Sequence, residues 1–299
     1  MLTIATRKSK LALIQSEMIK AALMQVGATD VDLLPLMTTG DADKERELLA
    51  IGGKGLFTKE IEQALLNGNA QIAMHSLKDM PVTMPEGLMI AGVLPRANPT
   101  DLLISHQPLT SLDDLPQGAT IGTSSPRRAA QLLVLRPDLT IVNFRGNVPS
   151  RLVKVERGEV DATILAAAGL ERLSITPQHS LALDVLPAIG QGIIALQCRS
   201  DDTETRQWIK KINHLPSWQQ TLAERAVLKA VEGDCHTPLA AHATLSGDSL
   251  SITAQILSAD GKTHYKAAQT GAIAQAAQLG EACGSVLLPK AEELWQRCS

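Results

Sequence analysis

Residues 1–37 read MLTIATRKSKLALIQSEMIKAALMQVGATDVDLLPLM. Three pieces follow one another in this stretch. Residues 2–5 form a short apolar run that reads as a strand. Ser9 can cap a helix whose apolar residues Leu11, Ala12, Ile14, Met18, Ala22 and Val26 recur at roughly helical spacing, and Gly27 ends it. Residues 31–37 then read as a second strand. A strand, a helix and a strand in this rhythm make a βαβ unit, and that unit implies a largely parallel sheet. Outward from it the rhythm continues, with a helix over 58–67 closed by Asn67 and Gly68 and a third strand over 72–74.

A second unit of the same kind runs from about residue 100 to 192, with strands at 101–105, 120–122, 140–143 and 162–165. Its helices start at Pro126, with Ser125 as the cap, and at Val148. The turn formers of Leu94-Pro95-Arg96-Ala97-Asn98-Pro99 mark one boundary, and Gly190-Gln191-Gly192 a second. Beyond residue 217 the character changes. A helix over 217–231 leads into Glu232-Gly233-Asp234-Cys235-His236-Thr237-Pro238, and antiparallel strands follow at 239–245, 250–257 and 263–270. Gly247-Asp248 and Asp260-Gly261 mark their turns. The Ala-rich tail, 272–297, reads as helix interrupted at Gly280, Gly284 and Pro289.

Composition removes several classes of function. The chain has 299 residues, and 28 Lys plus Arg against 31 Asp plus Glu give a net charge of −3, so it carries no cationic coat for DNA or an anionic membrane. Two Phe, three Trp and one Tyr are too few for a base-stacking platform. Cys198, Cys235, Cys283 and Cys298 show neither a C-x-x-C pattern nor zinc-type His spacing, so they read as reduced thiols, and no metal site is expected. No apolar run reaches membrane-spanning length, and the first residues lack the pattern of a secretory signal. A cytoplasmic location is expected.

Four segments could carry chemistry. Gly122-Thr-Ser-Ser-Pro-Arg-Arg128 opens a helix, where free N–H groups and forked guanidiniums suit an anion; the alternative is a capped helix with two surface arginines. Arg145-Gly-Asn147 follows a strand, and Arg151 lies one turn into the next helix, so the two could converge or could simply be solvated. His75-Ser-Leu-Lys-Asp-Met-Pro81 also follows a strand, and its Asp79 is a positioned acid or a turn residue. Gly52-Gly-Lys-Gly55 lacks the spacing of a phosphate loop and suits a hinge after the charged 41–50 stretch. Cys235 stands apart as a loop thiol, although Asp234 beside it works against a low-pKa nucleophile.

The order of the motifs is more specific than any one of them. Ala-Thr-Arg-Lys-Ser (5–9), Gly-Gly-Lys-Gly-Leu-Phe-Thr-Lys-Glu (52–60), His-Ser-Leu-Lys-Asp-Met-Pro (75–81) and Gly-Thr-Ser-Ser-Pro-Arg-Arg (122–128) come first. Arg-Gly-Asn (145–147), Ala-Ala-Gly-Leu-Glu-Arg-Leu (167–173), Gly-Gln-Gly (190–192), Ala-Glu-Arg-Ala (223–226) and Glu-Gly-Asp-Cys (232–235) follow. Together they closely resemble the porphobilinogen deaminase (hydroxymethylbilane synthase) family over nearly the whole chain.

That resemblance implies an α/β fold of two domains like type II periplasmic binding proteins, with a cleft between them, plus a small α+β domain. The divisions would be 1–95 with 193–213, 96–192, and 217–299. It implies a transferase that joins four porphobilinogen molecules, with loss of ammonia, into the linear tetrapyrrole hydroxymethylbilane. A dipyrromethane cofactor would be held through a thioether on Cys235. Asp79 would be the catalytic carboxylate; Ser76, Lys78, Thr123, Ser125, Arg127, Arg128, Arg145 and Gly146 would hold the cofactor. Arg7, Ser9, Phe57, Arg151, Arg172 and Gln191 would meet substrate. A growing polycarboxylate needs many fixed cations, and arginine is the best suited. The resemblance implies a monomer, and neither a protein partner, a nucleic acid nor a membrane. Three positions depart from the family pattern: Asp234 where Gly is usual, Ala50 where a basic residue is common, and Lys44-Glu45 in place of Leu-Asp. A solute-binding module or a thiol hydrolase using Cys235 are the competing readings; neither lobe-type binding nor a neighbouring His236 accounts for the whole motif set.

Overall fold

The computed structural model describes residues 1–39, 58–233 and 237–296. The chain forms two compact units, Met1–Ala97 with Gly192–Trp218, and Asn98–Gln191 with Gln219–Ser299.

In the first unit the strands are β1 (Leu2–Arg7), β2 (Val31–Leu36), β3 (Ile72–Ser76) and β4 (Leu88–Val93), joined by a later strand that enters after residue 192. In the second they are β5 (Asp101–Ser105), β6 (Thr120–Gly122), β7 (Thr140–Val142), β8 (Ala162–Ala166) and β9 (Ser180–Ala182). The late strand of the first unit is β10 (Ile194–Arg199). The first sheet is ordered β2-β1-β3-β10-β4 and the second β7-β6-β8-β5-β9. Both therefore have one plan. Four strands run in one direction, and a single antiparallel strand, β10 or β5, is inserted before the last of them. The sequence reading of largely parallel sheets holds, and the antiparallel insertions, β4, β9 and the helix Thr203–Ile212 are additions to it.

The first sheet is covered on both faces, which is why its strands read as unbroken apolar runs. Ile4, Ile72 and Met74 pack with Ile19, Leu23 and Ile209 on one face. Their neighbours Ala5 and Ala73 pack with Ile61 and Leu65 of the helix Lys59–Leu66 on the other. Helix Lys10–Gln25 is capped by Ser9 as expected, with the Ser9 side chain accepting from the Ala12 N–H. Its buried stripe differs from the apolar set read from the sequence. Ala12, Gln15, Ser16, Ile19 and Leu23 face inward, while Met18 is exposed. Small and polar residues can line that stripe because they find partners: Ser16 Oγ donates to the Ala12 carbonyl at 2.9 Å, and Gln15 meets Ser76 at 3.3 Å.

Within the second unit a three-stranded antiparallel meander follows helix Leu215–Ala230, which spans the unit boundary at 218. Its strands are β11 (Leu239–Ser246), β12 (Ser249–Leu257) and β13 (His264–Ala272), with turns where Gly247 and Gly261 stand. The tail is one helix, Ala276–Gln296, packed on β12 and β13. The interruptions expected at Gly280, Gly284 and Pro289 do not occur. The glycines are instead points of close helix approach. A side chain at Gly280 would collide with the Ala223 carbonyl, and one at Gly284 would lie 2.6 Å from Ala230 Cβ.

Candidate active site

Open α/β sheets bind ligands beyond the carboxyl ends of their parallel strands. Each unit gathers expected residues at that edge. In the first unit β1 and β3 pair in parallel, Ala5 opposite Ala73, so Arg7 at the end of β1 and Ser76 at the end of β3 reach the same edge. Ser9 caps the helix after β1, and Lys78 and the exposed Asp79 sit on a short 3-10 turn, Leu77–Asp79, after β3. Ser76 Oγ is tied to the Gln15 amide.

His75 is a packed histidine. Its Nε2 donates to Gln197 Oε1 at 2.9 Å, and the Gln197 amide donates to Glu62 Oε1 at 2.9 Å. Glu62 Oε2 accepts from Thr58 Oγ1 at 3.2 Å. Because the Gln197 oxygen accepts, the His75 proton lies on Nε2. Burial pushes the His75 pKa down from 6.5 to about 4; the bond to Gln197 opposes this and the Arg7 charge adds to it. The ring is neutral near pH 7, so it adds no second cation beside Arg7.

In the second unit the turn after β6 carries Thr123, Ser125, Arg127 and Arg128. Ser125 caps helix Pro126–Leu135 by accepting from the Arg128 N–H, with Pro126 in its first turn, as read from the sequence. Thr123 Oγ1 accepts from the Ser125 N–H at 3.2 Å. After β7 come Arg145, Gly146 and the cap Asn147, then Arg151 one turn into helix Val148–Glu156. Gly146 has a φ of +127°, and a side chain there would strike Ser150 Oγ, so the turn admits only glycine. Arg172 ends helix Ala167–Arg172, directly after β8.

The two arginines at the helix start are neither surface residues nor unpaired. Arg127 and Arg128 are buried, and both bind Asp101, which is 1% exposed. Arg127 Nη2 donates to Asp101 Oδ2 at 2.7 Å, and Arg128 Nη2 to Oδ1 at 2.6 Å. Gln191 Nε2 donates to the same Oδ1 at 2.9 Å and to the Pro99 carbonyl at 2.6 Å. Burial alone would raise the Asp101 pKa; the charges of Arg128 and Arg127 and their hydrogen bonds outweigh it and hold the carboxyl well below its usual range. Asp101 is the residue the sequence reading missed. An acid opening the otherwise apolar strand Asp-Leu-Leu-Ile-Ser was the available signal, since a buried carboxylate needs a partner.

Among the described residues here, cations exceed acids. Burial, and then the nearby Arg128 charge, push Arg151 down from 12.5 to about 10, and no carboxylate is among its influences. Arg127 Nε and Arg151 Nε are buried without an acceptor among the described residues. Burial also lowers Arg172. This surplus suits a ligand that brings its own carboxylates.

Cys198 and Cys283 are buried thiols, and burial pushes both from 9.0 to about 11, the profile of inert cysteines. Cys235, Phe57, Asp234, Ala50, Lys44, Glu45, the Gly52-Gly-Lys-Gly55 stretch and Cys298 lie outside the described residues.

Comparison with known proteins decides the family. The model for the porphobilinogen deaminase dipyrromethane cofactor binding domain matches residues 2–207, and that for the C-terminal domain of the same enzyme matches 218–289. The chain belongs to the porphobilinogen deaminase family. The porphobilinogen deaminase of Geobacter sulfurreducens is 45% identical over 291 residues, 96% of this chain and 91% of that one. That of Geobacillus kaustophilus is 45% identical over 276 residues, 91% and 89% of the two chains. Among solved structures, the periplasmic VFT2 domain of Bordetella pertussis BvgS is similar over 71% of this chain and 86% of that one, with a TM-score of 0.44 and 18% identity. Family membership bears out the enzyme class and the dipyrromethane cofactor expected from the sequence. Among the described residues no helix is long and apolar enough to cross a membrane.

Proposed function

We propose that the chain condenses four porphobilinogen molecules in turn, with release of ammonia, into hydroxymethylbilane. The observation that carries this is the surplus of buried guanidinium among the described residues at the strand ends of the second unit, where Arg127 and Arg128 share one carboxylate, Asp101, and Arg151 feels the Arg128 charge and no carboxylate. Every pyrrole added brings two more carboxylates, so the ligand supplies the missing charge.

The residues present fit a dipyrromethane. Arg127 and Arg151 each keep a buried N–H with no acceptor among the described residues, the requirement of a bound polycarboxylate. Arg127, Arg128, Arg145, Lys78, Ser76, Thr123, Ser125 and the Gly146 turn would hold it, and Cys235 would be its attachment point. When bound, the group supplies a primer end to which pyrroles are added. Arg7, Ser9, Phe57, Arg151, Arg172 and Gln191 would bind and orient the incoming substrate. Asp79 would stabilise the positive charge that develops at a pyrrole N–H and assist proton transfer; its exposure on a turn leaves the carboxylate accessible for this. We further propose three domains (1–95 with 193–213, 96–192 and 217–299), a monomer and a cytoplasmic location.

Intact mass of the purified protein tests the reading. An excess of two pyrrole units that disappears in Cys235→Ser supports it. A wild-type protein of unmodified mass that leaves porphobilinogen unconsumed overturns it in favour of a binding module.

A further inference from the structure

Asp101 opens β5, the antiparallel strand of its sheet, and pairs with Ala166, the last residue of β8. The reversed direction of β5 delivers its first side chain to the edge where the parallel strands end. There four hydrogen bonds converge on one carboxylate. Oδ2 accepts from Arg127 Nη2, and Oδ1 accepts from Arg128 Nη2, from Arg128 Nε at 3.2 Å and from Gln191 Nε2. The donors come from two separate segments, the helix after β6 and the turn that closes residues 98–191.

Two guanidiniums buried side by side repel each other and lose hydration, so an acid is needed between them. Charge balance does not by itself require this geometry. Arg128 is held on a second side by the Ile164 carbonyl at 3.0 Å, and Arg127 by the Leu186 carbonyl at 2.8 Å. Each guanidinium is therefore fixed at two points, and what remains for another acceptor includes the Nε of Arg127.

We propose that Asp101 is a positioning residue for ligand carboxylates, holding Arg127 and Arg128, with the Gln191 amide bracing the same carboxylate, in the arrangement that presents the remaining N–H groups of the two arginines. It acts through these two arginines and does not itself touch substrate. It also leaves the arginine pair with one net positive charge, so the site attracts a carboxylate without carrying the repulsion of two bare cations. The inference rests on the tetrapyrrole reading above, because it takes Arg127 and Arg128 as ligand contacts.

The test is a double-mutant cycle of Asp101→Asn and Arg127→Gln, with Asp101→Glu beside it. Thermal midpoint, intact mass and the KM and kcat for porphobilinogen are measured on each purified protein. Asp101→Glu keeps the charge and displaces it by one methylene. The expected result is a KM raised about tenfold with kcat per two-pyrrole-loaded protein little changed, the pattern of a weakened charge-assisted bond made equally to ground and transition states. Incomplete two-pyrrole mass in the Asp101 variants is the expected readout that does not depend on turnover. In the Arg127→Gln background, Asp101→Asn should add less than about threefold, because the two residues act as one unit. Where Asp101→Asn does not fold, Asp101→Glu takes its place in the cycle. A KM within about twofold of wild type with full two-pyrrole mass, or effects that simply multiply, overturns the proposal. So does loss of the fold in both Asp101 variants, which assigns the residue to the core alone. The wild-type arm separates the two claims. Wild type without the added mass and without porphobilinogen consumption defeats the functional reading, whereas an active wild type with indifferent Asp101 variants defeats only this one.

Discussion

Replacing His75 by Gln should flatten the acid side of the protein's stability profile. Burial holds the folded-state pKa of His75 near 4, against 6.5 for an exposed imidazole. The sign follows from which state binds the proton. Below pH 6.5 the unfolded chain takes up a proton on His75 that the folded chain refuses, so stability falls as pH falls, down to about 4 where both states are protonated. Between about pH 7 and about pH 5 this single group removes about 2 kcal/mol of unfolding free energy. Asp101 does not confuse the measurement. Its folded pKa lies below the usual 3.8, so its contribution is fully present above that value and is lost only in stronger acid. The assay is urea unfolding of wild type and His75→Gln at the two pH values. Gln retains an amide N–H to offer Gln197 but cannot titrate, so any packing cost is the same at both pH values and cancels. The wild-type protein should lose about 2 kcal/mol more than the variant between them. Equal losses in the two proteins would refute the claim that His75 is buried and neutral in the Gln197–Glu62 chain.

Asp79→Asn should keep the melting temperature of the wild type, since the side chain is exposed on its turn, and should lose most turnover of porphobilinogen. Near-normal kcat would remove Asp79 from the chemistry. Gly284→Val places two methyl groups where Ala230 Cβ already stands 2.6 Å from the nearest possible Cβ, and should cost about 3 kcal/mol by overpacking. A thermal midpoint unchanged by that substitution would mean the two helices are not in close contact.

The βαβ rhythm of both five-stranded sheets was legible because apolar runs and caps are local signals. Ser9, Ser125 and Asn147 each cap a helix that starts where the pattern begins. The inward stripe of the first helix was less legible, because Gln15 and Ser16 are buried through bonds to Ser76 and to a backbone carbonyl that no local pattern reveals. Glycines in the tail misled for a similar reason. A glycine read alone is a helix breaker, yet Gly280 and Gly284 sit inside a continuous helix because helix Leu215–Ala230 lies too close for a side chain.

The order of its motifs by itself determined the family, and with it the enzyme class and cofactor. It also showed that cations cluster at particular strand ends despite a net charge of −3. Sequence did not show how those cations are held. Asp101 stands 26 residues before Arg127 and Gln191 stands 90 residues after Asp101, and only folding brings the three together. Spacing along the chain reports what a helix or strand can align within a few residues. A buried charge is balanced by whatever the tertiary fold sets beside it, because Coulomb energy depends on distance through space and on the removal of water. The same rule makes His75 a neutral core residue and leaves Arg151 with no nearby acid among the described residues.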